Sequence, residues 1–348
     1  MEPKSATILD DRKLLKQIVS DGKRQDAMYR PGPYWEEKTK NAVRELTRQG
    51  MGNFRGSENG AGNSFTDNIL VDIRSVNNFG LHSIFSYLLR KIFPFNRLFD
   101  HQVKLTDAYS REAVKRANEK LSQDVRLHGL LDKYQINFET TRGGCGSFLE
   151  IRGKELSHHY LELLWTLDHL VSLVPVTQHT KFMEIGGGFG TNVHLLAELF
   201  GVRKFLYLDI APNLYVGTQY LKSFYGESVI DYSLAKGSSI TFSKNSDLEI
   251  FCLLPHQIQN VGDVIDVFHN AHSFVEMPRY VVQNYAGFIK KFMSSGQGQV
   301  SLVSYDSFDS NTTFNPDLLP SFFGGEVKQQ SIETLVGEGK MFSYAIQL

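Results

Sequence analysis

The stretch FMEIGGGFGTN, Phe182 to Asn192, constrains this chain more than any other. An apolar run enters it, spaced glycines turn it, and an amphipathic helical pattern leaves it. That order predicts a strand, a tight turn and a helix, the opening unit of an open α/β sheet. Glycines at 186, 188 and 190 permit positive φ and let a ligand approach the backbone closely. With Asp209 closing the next apolar run, the pattern predicts a nucleoside-bearing ligand beyond the first strand. A glycine turn without a ligand is the plain alternative.

From Lys181 onward strands and helices alternate. Strands are predicted at Lys181–Ile185, Phe205–Ile210, Glu249–Leu254, Val264–Phe268 and Gln299–Ser304. Helices are predicted at Thr191–Phe200, Leu214–Tyr225 and from Pro278 to Phe292, with a short extra element at Val229–Tyr232. The last two apolar runs, Val327–Ile332 and Met341–Ile346, are too close in sequence to pair except as an antiparallel unit. The expected fold class is therefore α/β: a Rossmann-like, doubly wound class I methyltransferase sheet whose last strand pair is antiparallel.

Before Lys181 the period is helical. Residues 1–30 read as an arm or frayed helix with a short pattern at Arg12–Val19. Helices are predicted at Trp35–Arg48, at Leu81–Phe93 ending before Pro94, and over Asp107–Tyr134, where Val114, Ala117, Leu121 and Val125 share a face. A glycine- and asparagine-rich loop opens with Phe54-Arg55, an aromatic and a cation that suit a lid. Gly143 to Gly146 breaks the chain, a short strand follows at Phe148–Ile151, and Ser157 is placed to cap a helix ending at Pro175. Residues 1–145 are thus expected as a mainly helical cap or substrate-binding region, and 146–348 as the cofactor-binding domain.

The composition narrows the classes of partner. A net charge of −1, with no basic run, favours neither nucleic acid nor an anionic membrane. No uninterrupted apolar stretch reaches the roughly 18 residues of a membrane span. Two distant cysteines exclude a disulfide framework and a CxxC metal site. The charged N-terminus lacks the apolar core of a signal peptide, so a cytoplasmic location is expected. No metal is expected, and homo-oligomerisation stays open.

Each strand end can be read for chemistry. Glu184 precedes Gly186, Gly187, Gly188 and Gly190; a carboxylate there suits the ammonium of S-adenosylmethionine (SAM), which a dinucleotide lacks. Asp209, beside Ile210, suits ribose hydroxyls in either case. His256 and Gln257 follow the third strand, where a base ring is expected. The fourth strand leads into His269, Asn270, His272 and Glu276. A hydroxyl acceptor needs its proton removed, and histidine suits that task. His272 is the first choice of base and His269 the second; Glu276 suits orienting the base or holding the acceptor, and Asn270 lies on the cofactor side. Tyr305 and Asp306 follow the fifth strand, Asp306 as a further base. Arg55, Tyr160 and Tyr305 are expected on the acceptor.

Several blocks go beyond the cofactor turn: NFRG at Asn53–Gly56, SHHYLELLWTLDHL at Ser157–Leu170, FLYLDIAPNLYVGTQYLKSFYG at Phe205–Gly226, LLPHQ at Leu253–Gln257 and HNAHSFVEM at His269–Met277. On these the chain resembles bacterial sugar O-methyltransferases associated with surface polysaccharides, over most of residues 35–310. The resemblance implies a SAM-dependent enzyme acting on a small-molecule or glycan hydroxyl. Glu184, Gly186, Gly188 and Gly190 match the SAM motif of class I methyltransferases, and Asp209 its ribose carboxylate. An NAD-dependent oxidoreductase on a similar turn, a non-catalytic binding module, and methylation of a non-sugar molecule are the rivals.

Overall fold

The computed structural model describes residues 8–56, 114–293, 298–305, 313–336 and 339–348. The predicted helix at Leu81–Phe93, the glycine-rich stretch after Gly56 and Asp306 lie outside the described residues. The elements are α1 (Arg12–Lys23), α2 (Pro33–Gln49), α3 (Val125–Lys133), β1 (Phe148–Ile151), β2 (Lys154–Ser157) and α4 (His158–Leu173). Then follow β3 (Lys181–Ile185), α5 (Thr191–Leu199), β4 (Lys204–Leu208), α6 (Ala211–Tyr225), β5 (Val229–Ile230), α7 (Tyr232–Ala235) and β6 (Glu249–Leu253). The chain continues through β7 (Val267–Ala271), α8 (Arg279–Phe292), β8 (Gln299–Tyr305), β9 (Glu326–Glu333) and β10 (Lys340–Gln347).

Eight strands form one sheet in the order β5-β6-β4-β3-β7-β8-β10-β9. All neighbours are parallel except β10, which runs antiparallel to both β8 and β9. This is the doubly wound class I methyltransferase order, with β5 as an extra edge strand. The chain reverses direction across the sheet at β3, between β4 and β7, so the crevice at its carboxyl end is the place for a ligand. Alternation along each strand feeds two cores: Phe182, Phe205 and Tyr207 face one, Met183, Leu206 and Leu208 the other.

Residues Arg12–Lys23 are a docked helix and not an arm. Asp11 caps α1 by accepting from the amides of Lys13 and Leu14, both at 3.0 Å. Leu14, Leu15 and Ile18 are buried, and α1 packs on α6 and α7. Two apolar residues per turn are enough because α6 offers an apolar face. The same hydrophobic cluster runs from Ile8 and Phe54 through Tyr160 to Ala345.

Two other expectations shift. The long helix to Tyr134 is interrupted: Asp124 accepts from the Arg126 amide at 2.8 Å and starts a new helix. That competing cap swings Val125 out to 81% exposure instead of onto the buried face. β7 starts three residues later than hydropathy predicts and runs on through His269 and Asn270. Before it, Asp266 is occupied by accepting from the Lys181 amide at 2.8 Å. Ser157 caps α4 as expected, and β1 acquires a hairpin partner in β2.

Ile18 is completely buried where α1 meets α6. Ile18→Ala should therefore lower stability by about 2–5 kcal/mol, read from the urea midpoint at an unchanged slope.

Candidate functional site

The carboxyl end of β3 turns through Gly186, Gly188 and Gly190, all at positive φ. A Cβ on Gly186 would overlap the Ser273 hydroxyl, so that glycine lets the loop after β7 close against the turn. A Cβ on Gly188 would meet nothing within 4 Å, so the turn presents bare backbone to open space there. These glycines form a cradle that side chains would fill.

Two carboxylates lie under the cradle. Asp209 accepts from the Gly188 amide at 2.9 Å through one oxygen and from the Ile210 amide at 2.7 Å through the other. Burial raises its pKa to about 8 against the pull of those two bonds. Glu184 accepts from the Asn192 amide nitrogen at 2.7 Å, and its second oxygen is buried without a hydrogen-bond partner. Burial raises its pKa to about 7, opposed by the Asn192 bond. Each carboxylate keeps lone pairs that the protein does not use.

Beside Asp209 lies a cavity of about 360 Å³. Ile210, Leu254 and Pro255 line it from the strand ends; Val19, Tyr29 and Pro31 close it from the N-terminal segment. The roof expected from Phe54-Arg55 is instead supplied here by residues 19–40. Gln257 is buried and accepts from the Leu254 amide at 2.9 Å, leaving its side-chain nitrogen unpartnered. His256 is half-buried, edge-on to Tyr232, with its pKa lowered by burial. Leu254 and Pro255 occupy the cavity wall where His256 was expected. Two buried carboxyl groups short of donors and a cavity walled by Ile210, Leu254 and Pro255 suit a ligand carrying an ammonium, vicinal hydroxyls and a ring.

A second constellation follows β7 and β8. His272 has a φ of 64°, a left-handed conformation costing about 1–3 kcal/mol in a non-glycine residue. Its ring stacks on Tyr305 at 4.5 Å, and Nδ1 has no hydrogen-bond partner. Burial lowers its pKa to about 4, so the ring is neutral at neutral pH. Tyr305 donates its hydroxyl to Glu276 Oε1 at 3.0 Å. The other oxygen, Oε2, accepts from the indole nitrogen of Trp35 at 2.8 Å. Trp35 carried no functional signal in the sequence; it read as one more apolar residue on the buried face of its helix.

Four expected residues are placed elsewhere. His269 lies inside the sheet, fully buried, with Nδ1 3.1 Å from the Ser301 hydroxyl and its pKa lowered by burial to about 3. The extension of β7 is what removes it from the loop. Asn270 spends its amide on Ile185 O at 2.7 Å, Ser273 Oγ at 2.6 Å and the Phe274 amide at 3.1 Å, locking the end of β7 to that of β3. Arg55 is 1% exposed and donates to Thr140 O, Arg142 O and Ser157 Oγ at 2.8–3.0 Å. Its guanidinium lies 4.9 Å from the Phe189 ring, so it braces the back of the glycine turn. Tyr160 is buried between the His194 ring at 2.6 Å and Tyr220 at 2.7 Å.

Among the described residues, no cluster of three or more His, Cys, Asp or Glu forms that could hold a metal ion, and no helix is long and apolar enough to cross a membrane. No family model and no curated relative matches the chain. Among solved structures, it is similar to the mitomycin 7-O-methyltransferase at 12% identity and a TM-score of 0.37, over 53% of this chain and 54% of that one. It is similar to a mycolic acid cyclopropane synthase complexed with SAH and CTAB at 9% identity and a TM-score of 0.36, over 53% and 83%. It is similar to MtNAS in complex with MTA and tNA at 10% identity and a TM-score of 0.40, over 91% and 99%. The chain thus spans about half the length of the mitomycin enzyme. The fold is carried by its own strand order.

Two outcomes follow. The pKa of Asp209 stands at about 8 in the folded chain against an ordinary 3.8, so the folded state holds a proton that the unfolded state releases. Its contribution is full below pH 4 and is lost as pH rises toward 8. The melting temperature of Asp209→Asn should therefore fall less between pH 5 and pH 8 than that of the unaltered chain. Arg55→Lys should destabilise by about 2–4 kcal/mol in chemical denaturation, because an ammonium cannot span three oxygens from one planar fork.

Proposed function

We propose that this chain is a SAM-dependent O-methyltransferase that acts on a hydroxyl of a sugar or glycan precursor in the cytoplasm. The observation that carries the reading is the adjacency of two sites. A cradle with two buried, under-used carboxylates stands beside a strand end bearing a neutral histidine and a held glutamate. Asp209 would hold the ribose hydroxyls, Glu184 the ammonium, and Leu254 and Pro255 the adenine. Bound there, SAM supplies an electrophilic methyl group on a positively charged sulfur.

The protein's own part is positioning and proton removal. His272, neutral at neutral pH, offers Nδ1 to the acceptor hydroxyl and takes its proton. Tyr305 holds the imidazole by stacking. Glu276 accepts from Trp35 and from Tyr305 and so holds the ring on which His272 stacks. Residues 1–145, expected to be mainly helical, would present the acceptor. The sugar class is supported by the sequence blocks around His269–Met277 and Asn53–Gly56.

Titration calorimetry with SAM and with NADH separates this reading from a dinucleotide oxidoreductase: SAM should bind and NADH should not. Incubation with methyl-labelled SAM and a panel of nucleotide sugars and cell-envelope glycans should label a sugar hydroxyl; label appearing only on lipid or polyketide hydroxyls would reassign the acceptor. His272→Ala should lower turnover by about 10²–10⁴-fold and leave SAM affinity within a factor of two. A variant with wild-type turnover would remove His272 from the mechanism.

A further inference from the structure

The helix that closes the cofactor cavity is also the helix that grips Glu276. Glu36, Thr39 and Lys40 of α2 line the cavity. Trp35, one residue before Glu36, donates its indole N–H to Glu276 Oε2 at 2.8 Å. The start of α2 is seated on the same turn: a Cβ on Gly32 would lie 3.0 Å from Pro278 and 3.4 Å from the Glu276 carbonyl oxygen. Glu276 is 6% exposed, and its other oxygen is held by Tyr305, which stacks on His272. Neither Trp35 nor Glu276 lines the cavity.

From this we infer that Trp35 is a positioning residue that couples cofactor occupancy to the acceptor site. Ligand in the cavity contacts α2 through Glu36, Thr39 and Lys40 and fixes the helix. A fixed α2 presents the Trp35 N–H to Glu276, and Glu276 with Tyr305 sets the place of His272. Occupancy of the cofactor cavity therefore favours the arrangement that completes the acceptor site. The inference rests on the proposed methyl-donor site.

Coupling between sites is reciprocal, so it can be read from the cofactor side with no acceptor present. Trp35→Phe keeps an aromatic ring at the position and removes its N–H; Glu276→Leu removes the carboxylate that accepts it. By calorimetry with S-adenosylhomocysteine, each variant should weaken binding by roughly fivefold or more although neither residue lines the cavity. The double variant should be no weaker than the weaker single one, because both remove one shared bond. A spectroscopic arm is available because the chain has two tryptophans. In a Trp165→Phe background the remaining indole emission should shift when S-adenosylhomocysteine is added, and that shift should disappear on Glu276→Leu. Unchanged affinity in Trp35→Phe, or losses that multiply in the double variant, would overturn the inference and leave the cofactor assignment standing. Failure of the unaltered chain to bind S-adenosylhomocysteine would remove both.

Discussion

The carboxylate of Asp209 is the joint on which the site depends. One oxygen holds the amide of Gly188 and the other the amide of Ile210, so a single side chain ties the glycine turn after β3 to the end of β4. Charge-assisted bonds of this kind contribute about 1.5–3 kcal/mol each. They do not offset the cost of burying the charge, which is why the group's pKa rises to about 8. Glu184, one strand over, is in the same condition with a single bond from Asn192. Two buried acids short of donors form a site that additional donors would complete.

The described N-terminal segment from Arg12 to Arg55 packs against that site. α1 is anchored through Ile18, and the segment from Val19 to Lys40 closes the cavity beside Asp209. Arg55 and Phe54 pack behind Phe189 of the glycine turn and stiffen it from beneath. α2 then crosses to the end of β7, where Trp35 reaches a carboxylate 241 residues away. The cavity beside Asp209 and the loop bearing His272 are thereby joined through one helix as well as through the sheet.

The sequence by itself determined the strand–turn–helix unit at Phe182–Asn192, the alternation of elements after it, the antiparallel final pair and the placing of Glu184 and Asp209. Those features depend on local rules: periodicity along the chain, the freedom of glycine, and the position of a strand end. Tertiary structure decided the rest. His269 and Asn270 look like loop residues by hydropathy; Ser301 and the Ile185 carbonyl make them strand residues by supplying partners. Arg55 has the composition of a lid cation, yet the carbonyls of Thr140 and Arg142 turn it inward. Trp35 has no local signature, since the carboxylate that meets its indole N–H, Glu276, is distant in sequence. A polar side chain is sorted into site or core by whichever distant groups meet its hydrogen-bonding capacity, and those groups are brought near only when the chain folds.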